Sequence, residues 1–255
     1  MRRPTIVLAV LLATALASAA DPAGFRVVTW QLGRDGAPAE AKLVAAELTK
    51  LGPDVVLLQG VRRDGADALD HAGAIAKEMG FLHVFLPVVE EGGRARGLAI
   101  LAKAQPRAAE GHELPAGAER ALALSAIVSV PAPGGREREI AVVSVAFNGS
   151  STQRFTQAIK LVEHLREIER ACVCGGDLGG DDAGQALKIL RNAGVGFLAK
   201  SELAATWPAD KPMDERDHLL QRPASAFVPV ACQVAGETSL ADHRAVLAIL
   251  AWGNR

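Results

Sequence analysis

Polar side chains recur directly after β-like runs of this sequence, and these residues are the ones that could perform chemistry. In α/β proteins the carboxyl ends of strands expose the binding and catalytic groups, and carboxylate and imidazole side chains there can transfer protons. One Gly-Asp step is weak evidence for a functional site because such steps are common in turns. Six strand-end motifs in order are much stronger evidence for one. They are Thr29-Trp30-Gln31, Leu57-Leu58-Gln59-Gly60, Val145-Ala146-Phe147-Asn148, Gly175-Gly176-Asp177-Leu178-Gly179, Thr206-Trp207-Pro208 followed by Asp217-His218, and Ala241-Asp242-His243-Arg244.

The stretches around these motifs predict alternating strands and helices. Short β-branched runs predict strands, and longer amphipathic stretches predict helices. The predicted strands are Phe25–Gln31, Asp54–Gln59, Leu82–Val88, Gly97–Ala102, Arg120–Val130, Glu139–Phe147, Ala171–Gly175, Ala226–Val234 and Ala245–Trp252. The predicted helices are Pro38–Leu51, Ala66–Met79, Ser151–Ile168 and Ala183–Asn192, followed by an irregular stretch. Hairpins mixed with crossovers predict a four-layer α/β sandwich, in which two packed mixed β-sheets are flanked by helices.

The first twenty residues have the pattern of a cleavable secretory signal peptide. Arg2 and Arg3 precede an apolar run over residues 6–16, and small residues at 17–20 precede Asp21, which is the usual order in such a signal. The run is about half as long as a membrane-spanning helix, so we expect no membrane span after signal cleavage. We therefore predict a secreted or periplasmic protein, of bacterial type, with a single domain over residues 21–255.

Charge and cysteine content exclude some classes of protein. The chain has 28 Lys and Arg against 29 Asp and Glu, a formal net charge of −1, so it has no global basic field and no strong nucleic-acid signal. Its three cysteines are too few for a disulfide framework. Cys172 and Cys174 lie two apart in a predicted strand, point the same way and cannot easily bridge each other. We expect buried thiols, with a bridge from Cys232 to one of them as the alternative.

The ordered motifs resemble those of the endonuclease/exonuclease/phosphatase family, which has the fold of DNase I-like nucleases, sphingomyelinases and inositol-phosphate phosphatases. The family's usual motifs are Trp-Asn, Leu-Gln-Glu, Gly-Ala-Ile-Leu, Thr-His-Leu, Gly-Asp-Phe-Asn, Thr-Phe-Pro with Ile-Asp, and Ser-Asp-His. The resemblance covers nearly the whole mature chain and implies a DNase I-like fold. The framework matches are Val27-Val28-Thr29-Trp30, Pro53-Asp54-Val55-Val56-Leu57-Leu58-Gln59, Gly97-Leu98-Ala99-Ile100-Leu101, Arg154 with Gln157, and Asp242-His243-Arg244.

The resemblance implies metal-assisted attack of water on a phosphoester. In the family a Glu and an Asp hold Mg²⁺, an Asp-paired His helps to activate the water, and a second His donates to the phosphate. Carried over residue by residue, Asp177, Asp217 and His243 would be the catalytic groups. Asp242 would hold the metal, with Gln31 in place of the family's first Asn.

Three further family positions carry no functional side chain here. The metal-binding Glu falls on Gly60, the phosphate-binding His on Ala146, and the Asn of Gly-Asp-Phe-Asn on Gly179. Loss of the carboxylate should lower Mg²⁺ affinity steeply, and loss of one transition-state donor typically costs about 10²–10³ in rate. The resemblance therefore implies catalysis that is lost or very weak.

Several of the matched residues have a structural interpretation as well as a functional one. Arg120 matches a family arginine near the cleft, and Asn148 could donate to a phosphate, but Asn-Gly is also a routine turn sequence. Asp217 and His243 could equally be a buried hydrogen-bonded pair that holds two loops together. Trp207 matches an aromatic residue beside the family's cleft and could also be a packing residue.

Three functions remain open from the sequence. The first is an exported pseudoenzyme candidate that needs no cofactor and binds a phosphorylated small molecule or another ligand in its cleft. The second is an active phosphodiesterase or phosphatase that holds Mg²⁺ or Mn²⁺ in a rearranged site, recruiting Asp64 or Glu90 and Glu91. The third is a non-catalytic interaction domain. The sequence predicts no particular substrate or oligomeric state.

Overall fold

The computed structural model describes residues 24–33, 39–65, 70–115, 117, 120–180, 183–201, 204–236 and 239–253, so the predicted signal peptide lies outside the described residues. The strands are β1 (Gly24–Gln31), β2 (Val55–Asp64), β3 (Leu82–Glu91), β4 (Arg94–Ala102), β5 (Arg107–Leu114), β6 (Ala121–Ala132), β7 (Arg136–Ala146), β8 (Cys172–Asp177), β9 (Gly196–Phe197), β10 (Asp217–Arg222), β11 (Phe227–Ala235) and β12 (Ala245–Trp252). The helices are α1 (Ala41–Leu51), α2 (His71–Met79), α3 (Ser151–Glu167) and α4 (Gly184–Asn192). None of these helices is long and apolar enough to cross a membrane.

The described strands form two six-stranded mixed sheets. The order is β11-β12-β1-β2-β4-β3 in the first sheet and β5-β6-β7-β8-β10-β9 in the second. In each sheet one central pair is parallel, β1 with β2 and β7 with β8, and the other neighbours are antiparallel. Apolar residues of α1 and α2 pack on the first sheet, and those of α3 and α4 on the second. The predicted four-layer α/β sandwich is confirmed.

Alternating side chains divide the core into an inter-sheet layer and two helix-facing layers. In β1, Val27 faces the other sheet and Val28 faces the helices, as the period of two in a strand requires. Cys172 and Cys174 share the helix-facing side of β8, whereas Cys232 lies in the inter-sheet layer. All three thiols are free and buried, and burial raises the pKa of Cys172 to about 12 and that of Cys232 to about 11.

Three differences between the structure and the predicted elements are the largest. The stretch expected to be irregular contains β9 and β10; β10 is buried on both faces, so its sequence shows no alternation. The strand β5 was missed because it is an exposed edge strand, rich in Ala, Gly and Glu. The strand β2 was expected to end at Gln59 but continues to Asp64 past a bulge between Gln59 and Val61.

A stacked histidine pair connects α3 to β5. The ring centroids of His112 and His164 lie 3.4 Å apart, and His164 is only 8% exposed, with no hydrogen-bond partner for its ring nitrogens among the described residues. Burial, together with the neighbouring His112, lowers the pKa of His164 to about 4. Burial also lowers the pKa of His218, on β10, to about 4. Both imidazoles are therefore neutral in the folded protein at pH 7.

We expect the protein to lose stability on acidification. An unfolded histidine has a pKa of about 6.5, so protonation of His164 and His218 favours the unfolded chain, and stability is lost as the pH falls from about 6.5 to about 4. After allowance for solvent screening, this loss should be about 2–4 kcal/mol. Urea denaturation at pH 7 and pH 4.5 measures it. His164→Leu should show a smaller loss than the wild type, and an equal loss in both would contradict the assignment.

Candidate active site

The strand-end motifs meet at one end of the sandwich. The parallel pairs β1–β2 and β7–β8 both end there, while β10 and β12 run antiparallel to their neighbours and begin there. Asp217 therefore lies directly opposite Asp177 in the ladder, and His243 lies two residues before the start of β12. The sheet topology brings together residues that are far apart in the sequence.

Asp177, His243 and Asp217 form a buried row of carboxylate, imidazole and carboxylate. Nδ1 of His243 lies 2.7 Å from Oδ2 of Asp217, and that same oxygen accepts a hydrogen bond from the Thr206 hydroxyl at 2.6 Å. Nε2 of His243 faces Asp177, 4.0 Å from its Oδ2. The exposed fractions are 1% for Asp177, 0% for Asp217 and 4% for His243. The three predicted catalytic residues therefore lie together.

The two carboxylates of this row favour the protonated, positively charged form of the His243 imidazole. Burial alone would lower the pKa of His243, but the charge and hydrogen bond of Asp217 and the charge of Asp177 outweigh it, so the pKa is raised above its usual value. The main chain around the row is also held. The Trp30 indole N–H donates to the His243 carbonyl at 2.9 Å, and the Gly179 N–H donates to Oδ1 of Asp177 at 2.9 Å.

The main chain of Gly33 occupies the space beside Gly60. Gly60 has φ +68°, and a Cβ built on it would overlap the carbonyl oxygen of Gly33. A Cβ built on Gly33, which has φ +136°, would lie 3.0 Å from Oδ2 of Asp242. Gly33 thus lies against both the Gly60 position and the Asp242 carboxylate. The absence of a side chain at Gly60 permits this approach of the two main chains, and the absence of one at Gly33 leaves room for the Asp242 carboxylate.

The oxygen donors that remain do not fit the metal centre that the family resemblance implies. Asp242 is exposed, and Oε1 of Gln31 is buried without a hydrogen-bond partner among the described residues. Mg²⁺ requires near-ideal octahedral geometry around well-placed carboxylates; here Gly60 supplies no carboxylate, and the main chain of Gly33 lies against Asp242. The described ranges contain no group of three or more His, Cys, Asp or Glu that could hold a metal ion.

The proposed replacement carboxylates lie elsewhere. Asp64 lies 3.6 Å from the guanidinium of Arg94, and Glu90 lies 3.0 Å from that of Arg63. Glu91 is exposed. All three are on the extended ends of β2 and β3, and none of them lines the cleft described below. The structure does not bring the alternative ligands to Asp242.

The other two altered family positions offer no functional side chain either. Gly179 has φ +82°, and a Cβ built there would lie 2.9 Å from Cδ of Arg154. Arg154 therefore takes the space in which an asparagine side chain would begin, and it donates to the carbonyl of Gly149 at 2.7 Å. Ala146 contributes only a methyl group to the cleft wall.

A cleft of about 60 Å³ opens at this end of the sandwich. Its polar lining comprises Gln31, Arg96, Arg120 and Asn148. Its apolar lining includes Val88, Val89, Leu98, Leu122 and Ala146. Two predicted ligand-binding residues, Arg120 and Asn148, therefore line the same cleft as Gln31, Gly60 and Ala146. Trp207 lies outside this lining, 36% exposed, with the Arg216 guanidinium 4.3 Å from its ring centroid.

Asn148 acts mainly as a brace within this lining. Its Nδ2 donates to the Arg120 carbonyl at 3.1 Å, and its Oδ1 accepts from Gln157 at 2.9 Å. Gln157 is fully buried on α3. Asn148 thus connects α3 to the main chain of Arg120, which favours the turn interpretation of Asn148 over that of a phosphate donor.

Two site residues were missed from the sequence, Arg96 and Gly33. Arg96 lies one residue before the predicted strand Gly97–Ala102, yet the structure places it in β4 on the same side as Leu98 and Ile100. Alternate residues of a strand face the same side. Since Leu98 and Ile100 face the other sheet, an extension of this strand by one residue would have placed Arg96 on that side too. The contact between Gly33 and Gly60 had no signal in the sequence beyond the glycines themselves.

Two mixed sheets flanked by helices, with polar residues gathered at one end, define the DNase I-like class of phosphoesterase fold. The chain belongs to the endonuclease/exonuclease/phosphatase family, which it matches over residues 28–237. Members of this family are typically dependent on a divalent metal ion. No functionally curated protein matches the sequence.

Solved structures of similar fold are distant in sequence. An endonuclease/exonuclease/phosphatase from Beutenbergia cavernae is 20% identical with a TM-score of 0.70, over 91% of this chain and 72% of that one. A family protein from Leptotrichia buccalis is 12% identical with a TM-score of 0.72, over 89% and 100%. The human Nocturnin catalytic domain with bound sulfate is 16% identical with a TM-score of 0.63, over 91% and 94%. At such identities the likeness establishes the fold alone.

Proposed function

We propose that this protein is an exported member of the family that binds a small ligand in its cleft and whose metal-dependent phosphoester hydrolysis is lost or very weak. The observation that carries the proposal is the position of Gly33. Its main chain fills the space beside Gly60, where the family's metal-binding carboxylate would begin. Without that carboxylate, the developing charge of a phosphoester transition state would lack its usual stabilisation by a metal ion.

The residues that remain can hold and transfer a proton, but they lack a metal ion that would stabilise the transition state. Asp217 orients the His243 imidazole through Nδ1, and Nε2 is directed towards Asp177. In this arrangement a water or hydroxyl near Nε2 could exchange a proton with the imidazole. Such a group typically contributes about 10²–10⁴ in rate, which is far less than a phosphoesterase requires.

Hydrolysis assays with bis-p-nitrophenyl phosphate and p-nitrophenyl phosphate, in Mg²⁺ or Mn²⁺, test the proposal. We expect the wild type to be no faster than Asp177→Ala or Asp242→Ala, and calorimetric titration with Mn²⁺ to give the same result for the wild type and Asp242→Ala. Turnover that disappears in both variants would overturn the proposal in favour of an active metal-dependent hydrolase. Mn²⁺ binding that depends on Asp242 would point the same way.

The export part of the proposal rests on residues 1–20 and is tested independently. The mature protein should begin near Asp21, and N-terminal sequencing of the protein recovered outside the cytoplasm measures this. A protein that retains Met1 and stays in the cytoplasm would refute export while leaving the account of the cleft intact.

A further inference from the structure

We propose that the cleft binds the phosphate group of a small phosphate monoester through Arg96 and Arg120, without a divalent metal ion. This inference rests on the proposed function, because it names the ligand that the cleft takes once metal-dependent hydrolysis is lost. The positive charge that a metal ion supplies elsewhere in the family comes here from two guanidinium groups.

Each sheet contributes one of the two arginines. Arg96 lies on β4 of the first sheet, on the side that carries Leu98 in the inter-sheet layer. Arg120 directly precedes β6 of the second sheet, two residues before Leu122 of the same layer. Both arginines line the cleft. They therefore lie at the open end of the layer between the sheets, where an anion could contact both.

The charge of the lining favours an anion. The described residues that line the cleft include two guanidinium groups and two amides but no carboxylate. Glu113 pairs with Arg120 at 2.7 Å, but the two side chains are 75% and 54% exposed, so solvent screens this pair strongly. The guanidinium group presents several donors in a planar fork that matches phosphate oxygens.

The size and walls of the cleft restrict the ligand. The cleft volume of about 60 Å³ exceeds the roughly 10–15 Å³ that one water molecule needs, so a single phosphate group can enter. Val88, Val89 and Leu98 form an apolar wall against which the organic part of an ester can pack. The net charge of −1 gives no support for tracking a nucleic-acid backbone.

Calorimetry of the purified protein in EDTA tests the inference, with inorganic phosphate and phenyl phosphate as probes. We expect both to bind, and phenyl phosphate to bind more tightly because of the apolar wall. Arg96→Gln and Arg120→Gln should each weaken binding about tenfold, as expected for loss of a charge-assisted hydrogen bond. Arg96→Lys keeps the charge and should weaken binding less than Arg96→Gln does. The matched control is Arg136→Gln, at the exposed start of β7, which should bind as the wild type does.

Each contrary outcome separates this inference from the proposed function. Absence of binding in EDTA, with no metal-dependent turnover, would overturn the inference alone. Binding that appears only with Mn²⁺, accompanied by turnover, would overturn both. Binding that survives both Arg→Gln variants would show an adventitious ion only and would overturn the inference. Inorganic phosphate that binds as tightly as phenyl phosphate would overturn the assignment to an ester. Thermal unfolding of each variant identifies any that fail to fold, and Arg96→Lys then remains as the test.

Discussion

Replacement of Gly60 by glutamate, which restores the family's residue, is expected to destabilise the protein by about 3 kcal/mol or more and to restore no metal-dependent activity. Gly60 has φ +68° and its Cβ would overlap the carbonyl oxygen of Gly33. A non-glycine residue in the left-handed region costs about 1–2 kcal/mol by itself, and the overlap adds the cost of displacing the Gly33 main chain. The free energy of unfolding in urea measures the loss.

The chain offers a matched control for this substitution. Gly80 also has φ +68°, but a Cβ built on it would meet nothing within 4 Å, because Gly80 ends α2 in the open. Gly80→Glu should therefore show the backbone cost alone, about 1–2 kcal/mol. If the two variants lose the same unfolding free energy, the overlap with Gly33 adds nothing to the cost at Gly60. Turnover with Mn²⁺ in Gly60→Glu that the wild type lacks would contradict the account of the site.

The altered metal site thus depends on the segment after β1 that contains Gly33 as well as on residue 60 in the bulge of β2. Gly33 contacts both the Gly60 position and Asp242, so a glutamate side chain at residue 60 would need Gly33 to move before it could approach a shared metal ion. A single reversion adds a carboxylate but leaves the main chain in its place. For this reason the proposed loss of metal binding rests on the position of Gly33 as well as on the missing carboxylate.

Much of the fold could be predicted from local patterns. The apolar runs of β1 and β12 and the stripe of α3 are strong because each buries residues against a layer of the core. The strand β10 could not be found in this way, since it is buried on both faces and its polar Asp217 and His218 conceal a strand. Strong local patterns therefore predict elements well except where the site itself places polar residues in the core.

The side chains of the candidate site could be predicted from the sequence, but its main-chain contacts could not. The order of motifs correctly placed Asp177, Asp217 and His243 together, because strand ends gather wherever the sheets have this topology. The contact of Gly33 with Gly60 depends on how the segment after β1 approaches the bulge of β2, and neither glycine has a side chain that would indicate this contact in the sequence. The sequence identified a missing carboxylate but not the main chain that replaces it.

Replacement of Asp217 by asparagine is expected to cost about 3–5 kcal/mol of unfolding free energy. Asp217 is fully buried, and its Oδ2 lies 2.7 Å from Nδ1 of His243. Without this carboxylate, burial should lower the pKa of His243 and leave the ring largely neutral. The exposed Asp64 lies 3.6 Å from Arg94, and Asp64→Asn is the control, with an expected cost below about 1 kcal/mol.

The pH dependence of this loss identifies its cause. The folded protein raises the pKa of His243 above the unfolded value of about 6.5, so the pair's contribution is fully present below about pH 6.5 and is lost as the pH rises through the folded pKa. The difference between the wild type and Asp217→Asn should therefore be larger at pH 6 than at pH 9. NMR titration of His243 should show a lower pKa in the variant.

The same variant distinguishes a structural role of the Asp217–His243 pair from a catalytic one. If Asp217→Asn loses stability while phosphate binding per folded molecule is unchanged, then the pair holds the Thr206 and His243 loops and its retention needs no catalytic explanation. If it is as stable as Asp64→Asn, the buried pair contributes little to folding, and its presence must be explained by chemistry at Nε2 of His243. A double-mutant cycle with His243→Gln measures the coupling directly.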